Sequence, residues 1–446
     1  MTVRRSEKMV RNLRVMIRDE PGYLGKVTQA IGDGGANIGD IVRIRSAGHD
    51  TVRDLELYID NDDQLSMILE RISQLDGVRI ESVHDPVLEL HRAGKIRMRS
   101  TVAVERIGDV RKIYTPGVAT VCTEIQRNPE RAYDYTALGS TVAIVTNGTA
   151  VLGLGSIGVH ASLPVMEGKA VLLDRLSGLS GIPILIPTRD VDTFVETVIN
   201  IAPSFGAIQI EDVAAPECFE IEERLIEQLP IPVMHDDQHG TAVVCLAALL
   251  NAMERTETEL DQLTVGLIGL GAAGMGIAKL LASYGVKDLI GSDVNRGALE
   301  RFKNLGGHPL QQQEAVMERA QVVIAITGRP NLIPPEQIRE GQIIFALSNP
   351  LPEIASPVAL EAGAAFAVDG RSVNNALGFP GIFRGALTAR ARKITDAMKI
   401  AAAIVIAQYA EPGELVPSLL NLDVHMAVAD AVAEAAEASP DEDLEQ

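Results

Sequence analysis

Two pairs of acidic residues follow two separate apolar runs of the chain. Glu211 and Asp212 come directly after one run, and Asp236 and Asp237 follow the next. If both runs are parallel strands, their carboxyl ends meet at one edge of a sheet, where such sheets bind ligands. Carboxylate oxygens suit Mg²⁺ or Mn²⁺ rather than zinc, and four carboxylates without a cation would repel one another. A helix N-cap is the alternative for each pair alone, but two equivalent pairs predict a divalent metal site.

Lys169 and Tyr114, which precede both acidic pairs in the chain, are candidates for proton transfer. Lys169 lies between apolar segments, where loss of water or a nearby cation would lower its pKa and make it a usable base. Tyr114 precedes a Thr-Pro-Gly turn, and a tyrosine fixed there can donate a proton to a carbanion. A surface lysine and a packed aromatic ring are the ordinary alternatives. His235 and His239 flank the second acidic pair, either as further ligands or as turn residues.

A G-x-G-x-x-G fingerprint occurs twice, and its surroundings favour the second copy as a dinucleotide loop. Both copies follow apolar runs, but the helix after the first, at residues 153–158, would have to pass Pro164 and Gly168. The second copy leads into an unbroken helical stretch, whose free N–H groups can hold a pyrophosphate. Its cofactor-binding candidates are Gly269, Gly271, Ala272, Ala273 and Gly274.

Asp293 indicates which nicotinamide cofactor this loop would bind. It lies about 20 residues beyond the glycines, where an acid can accept a hydrogen bond from a ribose 2′-hydroxyl. A carboxylate would repel a 2′-phosphate, so NAD is favoured. The nearby Arg296 leaves NADP as the alternative.

Strand and helix patterns alternate around these motifs. Around the second fingerprint we predict strands over residues 263–267, 288–291, 322–326 and 343–347 and a helix over 272–284. This alternation predicts an α/β fold with a Rossmann-type parallel sheet covered on both faces. The expected domains are residues 1–88, a metal-binding domain over 89–250, and a dinucleotide-binding domain over 251–446 with a C-terminal helix and an acidic tail.

The first 88 residues form a separate pattern. Period-two segments predict strands, and 3.6-period segments predict helices. Their order is βαββαβ, which predicts a compact sheet with helices on one face. The segments are 12–17, 23–33, 38–45, 54–59, 63–75 and 78–83, with a connector over 84–98.

Composition excludes several classes of function. The chain has 446 residues and a formal net charge of −20, so neither nucleic acid nor a membrane surface is an expected partner. No apolar run is long enough to span a bilayer. The three cysteines form no C-x-x-C pair, which argues against a zinc or disulfide framework and for a cytoplasmic location. The acidic tail at residues 441–445 is expected to be disordered.

The N-terminal pattern resembles an ACT domain. The match rests on the Asp-Glu-Pro-Gly-Tyr-Leu-Gly turn of residues 19–25 and on Gly-Ala-Asn-Ile-Gly-Asp-Ile at 35–41. ACT domains commonly bind an amino acid at that turn, often across a dimer. The resemblance implies a regulatory ligand near Gly22, Asn37 and Ile38, and a turn that only supports dimer packing is the alternative.

The remaining motifs together resemble the malic enzymes of the shorter bacterial type, over roughly residues 100–435. The matching segments, in family order, are Tyr-Thr-Pro-Gly-Val-Ala at 114–119, Pro-Val-Met-Glu-Gly-Lys-Ala at 164–170, Glu-Asp-Val at 211–213, His-Asp-Asp-Gln-His-Gly-Thr-Ala at 235–242, Ser-Asn-Pro at 348–350 and Asn-Asn-Ala-Leu-Gly-Phe-Pro-Gly at 374–381. Several motifs in one order are more specific than any single fingerprint.

The resemblance implies a role for each site residue. Lys169 is the base, Tyr114 the acid, and Asp236 orients the lysine. The implied metal ligands are Glu211, Asp212 and Asp237, and the implied malate contacts are Asn349 and Asn375, of which Asn349 also belongs to the cofactor site. Without the resemblance, Asn349 would be an Asn-Pro turn and Asn375 a loop cap.

The chain also departs from the family pattern. Larger malic enzymes carry a substrate-binding arginine where Ala150 stands, and family members often carry aspartate where Ser156 stands. The segment 173–181 also differs from the usual one. These changes leave the base and the metal acids intact, so another group must take over the carboxylate contact of the arginine.

The expected reaction is the oxidative decarboxylation of L-malate to pyruvate and CO₂ with NAD or NADP and a divalent metal. The expected partners are malate, an amino-acid effector and further copies of the chain in a homodimer or larger homo-oligomer. Two alternatives stay open. One is a related enzyme for another 2-hydroxy acid, and the other is a non-catalytic sensor of NAD and an amino acid.

Overall fold

The computed structural model describes residues 8–151, 153–260, 263–370 and 373–438. The chain divides into two compact units, Met1–Arg97 and Met98–Gln446. The predicted acidic tail at 441–445 lies outside the described residues. Within the described ranges, no helix is both long and apolar enough to cross a lipid bilayer.

The first unit is a four-stranded antiparallel sheet in the order β2-β3-β1-β4. Alternate side chains of its central strands, such as Leu13 and Leu55, are fully buried against Ile31 and Ile68 of the helices. The predicted βαββαβ order is confirmed. Its elements are β1 (Met9–Arg18), α1 (Tyr23–Asp33), β2 (Asn37–Ala47), β3 (Asp50–Ile59), α2 (Asp62–Ser73) and β4 (Val78–His84).

A short helix, α3 (Pro86–His91), stands where the sequence predicted only a connector. The Asp85 carboxylate caps it by accepting hydrogen bonds from the N–H groups of Val87 and Leu88, at 2.9 and 3.1 Å. Proline at the first helical position loses no hydrogen bond. The Asp-Pro pair is therefore a local helix-start signal for this segment.

The second unit begins with α4 (Ile107–Ile113), α5 (Val118–Arg127) and α6 (Ala132–Tyr135), none of which buries a residue. A four-stranded parallel sheet in the order β6-β5-β7-β8 follows. Most residues of its strands are apolar, as expected for strands that are covered on both faces. The elements are β5 (Thr141–Thr146), α7 (Val159–Ser177), β6 (Ser180–Leu185), α8 (Val191–Ile201), β7 (Ala207–Ile210), α9 (Glu217–Gln228), β8 (Val233–His235) and α10 (Asp236–Arg255).

A second parallel sheet of six strands has the order β11-β10-β9-β12-β13-β14. This is the doubly wound order, in which strands are added first on one side of β9 and then on the other, and dinucleotides bind at the point where that order switches. The predicted Rossmann-type sheet is therefore confirmed. Its elements are β9 (Thr264–Ile268), α11 (Ala272–Tyr284), β10 (Asp288–Ser292), α12 (Arg296–Asn304), β11 (His308–Pro309), α13 (Gln313–Arg319), β12 (Val322–Ala325), β13 (Ile343–Ala346), α14 (Ser356–Glu361), β14 (Phe366–Asp369), α15 (Phe379–Thr388), α16 (Asp396–Gln408) and α17 (Leu422–Ala438).

Helix α10 connects the two parallel sheets of the second unit. One hydrophobic core extends from the four-stranded parallel sheet through α10 and α11 to the six-stranded sheet. The two helices meet backbone to backbone at Gly276. A Cβ there would lie 2.4 Å from the carbonyl oxygen of Gln238, so only glycine fits without displacement.

Candidate active site

The acidic pairs lie at the carboxyl ends of β7 and β8, as the apolar runs predicted. Glu211 and Asp212 follow β7 directly, and Asp236 and Asp237 are the first two residues of α10. Asp212 has a positive φ of 55°, which is uncommon for a residue with a side chain. The Asp212 carbonyl accepts hydrogen bonds from the N–H groups of Thr149 and Ala150 at 3.2 and 3.0 Å, which helps to hold this conformation.

Three of the four carboxylates form a cluster with the geometry of a metal site. Glu211, Asp212 and Asp237 each place an oxygen within 4.8 Å of the other two. Asp212 Oδ2 is buried and has no hydrogen-bond partner in the described structure. Burial and the neighbouring charge of Asp237 raise the pKa of Asp212 to about 7. Mutually repelling carboxylates, two of them buried and one with an orphaned oxygen, fit a hard divalent cation such as Mg²⁺ or Mn²⁺.

Lys169 lies against this cluster, on α7. Its Nζ is 2.9 Å from Glu211 Oε1, and it also donates a hydrogen bond to Asp236 Oδ2. The ammonium group stands 4.7 Å from the centroid of the Phe379 ring. Burial lowers the pKa of Lys169, but the charges of Asp236 and Glu211 outweigh it and raise the pKa well above its usual value. The direction is opposite to the sequence-based expectation, because the lysine faces carboxylates here rather than a cation.

Asp236 separates Lys169 from Asn375. Its Oδ2 accepts a 2.6 Å hydrogen bond from Asn375 Nδ2 in addition to the one from Lys169. Gly240, one turn along α10, leaves room for this carboxylate, because a Cβ there would lie 2.0 Å from Asp236 Oδ1. The predicted orienting residue, base and substrate contact are therefore brought together in one hydrogen-bonded group.

Three further residues support the cluster: His235, which the sequence offered as a ligand or a turn residue, and Gln209 and Glu222, which were not identified from the sequence. Gln209 Nε2 donates to Glu211 Oε2 at 2.8 Å, and His235 Nε2 donates to Asp237 Oδ2 at 3.0 Å. Glu222 Oε1 accepts a 2.7 Å hydrogen bond from the backbone N–H of His235. Polar residues inside apolar patterns carry this signal, since Gln209 interrupts a buried strand and Glu222 occupies a buried position of α9.

The second glycine fingerprint forms the turn between β9 and α11. Gly269 has a φ of 97°, and a Cβ on it would lie 2.5 Å from Ile326 O, while a Cβ on Gly274 would lie 2.0 Å from Gly269 O. Ala272 and Ala273 are the first residues of α11, whose N-cap is Gly271. Asp293 Oδ2 accepts a 2.7 Å hydrogen bond from Leu270 N–H, so this carboxylate stands beside the loop. The backbone and the acid are arranged as a dinucleotide site requires.

The first fingerprint lies in a different setting. Gly153, Gly155 and Gly158 all have positive φ, and the turn they form precedes α7. That helix continues through Pro164 to Ser177, so the proline did not end the helix as its position suggested. A Cβ on Gly153 would lie 3.2 Å from Pro350 Cδ. This turn therefore packs against the segment that carries Asn349, whose Nδ2 donates to Gly370 O at 3.1 Å.

Tyr114 is a predicted catalytic residue that the structure does not join to the cluster. It is the C-cap residue that follows α4, it is 68% exposed, and no hydrogen bond links its hydroxyl to any described residue.

The predicted regulatory residues lie in the first unit. Gly22 has a φ of 93° at the start of α1, and Asn37 and Ile38 begin β2.

Comparison with known proteins matches three family models. "Malic enzyme, N-terminal domain" covers residues 94–226, "Malic enzyme, NAD binding domain" covers 238–298 and 340–437, and "ACT domain" covers 7–81. The NAD-dependent malic enzyme 1 of Bacillus subtilis is 48% identical over 97% of this chain and 98% of its own length. The NAD-dependent malic enzyme of Geobacillus stearothermophilus is 42% identical over 95% and 94%. The crystal structure of the Pyrococcus horikoshii malic enzyme matches with a TM-score of 0.76 at 42% identity, covering 80% of this chain and 90% of that one.

Proposed function

The chain belongs to the malic enzyme family and carries an ACT domain at its N-terminus, and from this premise we propose that it oxidises and decarboxylates L-malate to pyruvate and CO₂ with NAD and a divalent metal. One observation supports this most strongly: Lys169 lies between Glu211 and Asp236, beside three carboxylates arranged for a cation. A base next to a metal site, in one unit with a dinucleotide fold, is what this reaction needs.

Glu211, Asp212 and Asp237 would hold Mg²⁺ or Mn²⁺. When bound, such a cation supplies Lewis-acid polarisation of the malate oxygens and offsets the negative charge that holds up the pKa of Lys169. The positive φ of Asp212 and the hydrogen bond from its N–H to Asp237 Oδ2, at 2.9 Å, keep two of the three carboxylates in register. The chain therefore presents its ligands on a rigid backbone.

Lys169 removes the proton from the malate hydroxyl as malate is oxidised at C2. Asp236 holds the amine in position and is itself fixed by Asn375. Asn375 and Asn349 contact the substrate. After CO₂ leaves, Tyr114 protonates C3 of the enolate of pyruvate. Lys169 and Tyr114 thus move one proton each, from the hydroxyl oxygen and to C3, while the C2 hydride goes to NAD, so that the products are pyruvate, CO₂ and NADH.

We also propose that the chain works as a homodimer or a larger homo-oligomer. Tyr114 belongs to a segment whose helices α4 and α5 bury no residue, and it has exposed apolar neighbours such as Ile107 and Ile113. Exposed apolar surface of this extent is typical of protein interfaces. An assembly that covers the segment would also shield Tyr114 from water, which favours its use as a proton donor.

NAD is the proposed cofactor, with NADP as the alternative. Asp293 lies beside the glycine loop and would accept a hydrogen bond from a ribose 2′-hydroxyl, while Arg296 starts the next helix. We propose the division of the chain into residues 1–88 as the ACT domain, 89–250 as the metal-binding domain and 251–446 as the NAD-binding domain.

A single assay tests the proposed reaction. Purified protein with L-malate, NAD and Mn²⁺ is expected to form NADH at 340 nm, to lose this activity in excess EDTA and to regain it with excess Mn²⁺. NADP in place of NAD should give a lower kcat/KM. Activity that EDTA leaves unchanged would contradict the metal site. NADH formation only from another 2-hydroxy acid would support the related enzyme, and none from any such acid would support the sensor.

The ACT domain is proposed to bind an amino acid near Gly22, Asn37 and Ile38 and to regulate the enzyme. In a thermal-shift screen of the twenty common L-amino acids, at least one is expected to raise the melting temperature of the full chain. Asn37→Ala should abolish that shift, while Gln29→Ala, an exposed position on α1, should keep it. The absence of a shift with every amino acid would argue for a domain that serves assembly only.

A further inference from the structure

A large cavity lies away from the carboxylate cluster, within the second unit. Its volume is about 830 Å³, and none of Lys169, Glu211, Asp212, Asp236 or Asp237 lines it. Its walls come from α9 and the start of α10 on one side, and from α11, α12 and the start of α16 on the other. Helices that pack beside the four-stranded and the six-stranded parallel sheets therefore enclose one cavity, and the proposed reaction does not use it.

Three cations without ion-pair partners line this cavity: Lys279, Lys393 and Arg301. None of them forms an ion pair with a described residue. Arg301 stacks over the Phe219 ring at 5.1 Å, and its Nε is buried without a hydrogen-bond partner in the described ranges. A guanidinium on the wall of a cavity, without an ion-pair partner among the described residues, fits a planar or tetrahedral anion.

Two cations that line the cavity, Lys399 and Lys279, act on each other's charge. Burial lowers the pKa of Lys399, and the charge of Lys279 lowers it further, against the opposing charge of Asp396. Cations that disfavour one another's charge indicate a site that gains from a bound negative charge.

The acidic residues that line the cavity do not cancel its preference for a negatively charged ligand. The Glu222 carboxylate accepts hydrogen bonds from Gln238 Nε2 and His239 Nε2, at 2.8 and 3.0 Å, as well as from the backbone N–H of His235. Asp396 accepts from Lys399 Nζ at 3.1 Å and from Ser283 Oγ at 2.7 Å. Glu223 and Glu227 are exposed, where water and salt screen their charge. The inner acids are thus occupied, and Lys279, Lys393 and Arg301 remain available.

We propose that this cavity is a second ligand site, which binds a small multivalent anion through Lys279, Lys393 and Arg301. The chemistry is that of a phosphorylated or polycarboxylate metabolite. Two hydrogen bonds connect the cavity wall to the carboxylate cluster. Glu222 of the wall accepts one from His235 N–H, and His235 Nε2 donates the other to Asp237. A ligand here would tie α9 and α10 to α11 and α12, and it would stiffen the support of the carboxylates.

Calorimetric titration of the full chain tests the site without reference to activity. Inorganic pyrophosphate and citrate are the two probes, in saturating NAD and EDTA, so that neither the dinucleotide loop nor a metal competes. The variants are Lys279→Gln and Arg301→Gln, and the matched control is Lys303→Gln, an exposed lysine on the same helix as Arg301.

Wild type and the Lys303→Gln control are expected to bind at least one probe, and each cavity variant should weaken it at least about tenfold, the loss of one charge-assisted contact. Pyrophosphate binding alone assigns the site to phosphorylated ligands, citrate binding alone to polycarboxylates, and binding of both to multivalent anions in general. No heat from either probe, or equal affinity in wild type and Lys279→Gln, overturns the proposal. Should Arg301→Gln unfold, Arg301→Lys replaces it, with partial loss of affinity as the expected result.

Discussion

Lys169→Ala is expected to lower the kcat for malate oxidation by about 10²–10⁴-fold, the range that loss of a general base produces. Binding of NAD should be retained, because the glycine loop and Asp293 lie on other elements of the chain. Bound NADH can be followed by its own fluorescence, and the chain contains no tryptophan to interfere. The comparison of kcat with NADH affinity therefore separates loss of chemistry from loss of cofactor.

Two variants control this prediction. Lys287→Ala removes an exposed lysine and should leave kcat unchanged. Lys169→Arg keeps a positive charge beside Glu211 and Asp236 but cannot give up its proton near neutral pH. It should melt near the wild-type temperature and still be inactive. Near-normal malate turnover in either Lys169 variant would show that the base is another group.

Asp237→Asn is expected to weaken Mn²⁺ binding by more than about 100-fold, since even residues behind the ligands cost 10–100-fold. The amide oxygen can still accept the hydrogen bond from Asp212 N–H, so the loop after β7 should keep its conformation. What is lost is one of the three negative charges of the carboxylate cluster, the other two of which are buried. Titration of free Mn²⁺ by electron paramagnetic resonance measures the affinity directly.

The control for this variant is Asp174→Asn, an exposed acid at the end of α7. It changes the net charge by the same amount and should leave the Mn²⁺ affinity unchanged. If Asp237→Asn binds Mn²⁺ as wild type does, the carboxylate cluster is not the metal site. If both variants weaken binding alike, the effect is one of overall charge.

The position of the acidic residues at one edge of the four-stranded parallel sheet was predictable, because strand ends and acidic pairs are both local features of the sequence. Apolar runs before Glu211 and Asp236 implied that the carboxylates converge, and three of the four do. The fourth, Asp236, binds Lys169 instead. This difference depends on the rotation of α10 about its axis, which no local pattern contains.

The pKa of Lys169 could not be predicted from the sequence for a related reason. Burial and ion pairing shift it in opposite directions, and only the distances to Glu211 and Asp236 decide which effect is larger. The sequence could not predict the exposure of Tyr114 either. Its Pro-Gly turn predicts a fixed backbone, but not what covers the ring.

The contact between α10 and α11 at Gly276 has a consequence for how evolution can vary this protein. The carboxylates stand at the start of one helix and the dinucleotide loop at the start of the other. Main-chain atoms touch where the helices meet, so no side chain can act as a spacer between them. The span from the carboxylates to the dinucleotide loop is therefore set by peptide geometry, and substitutions elsewhere along both helices can accumulate without changing it.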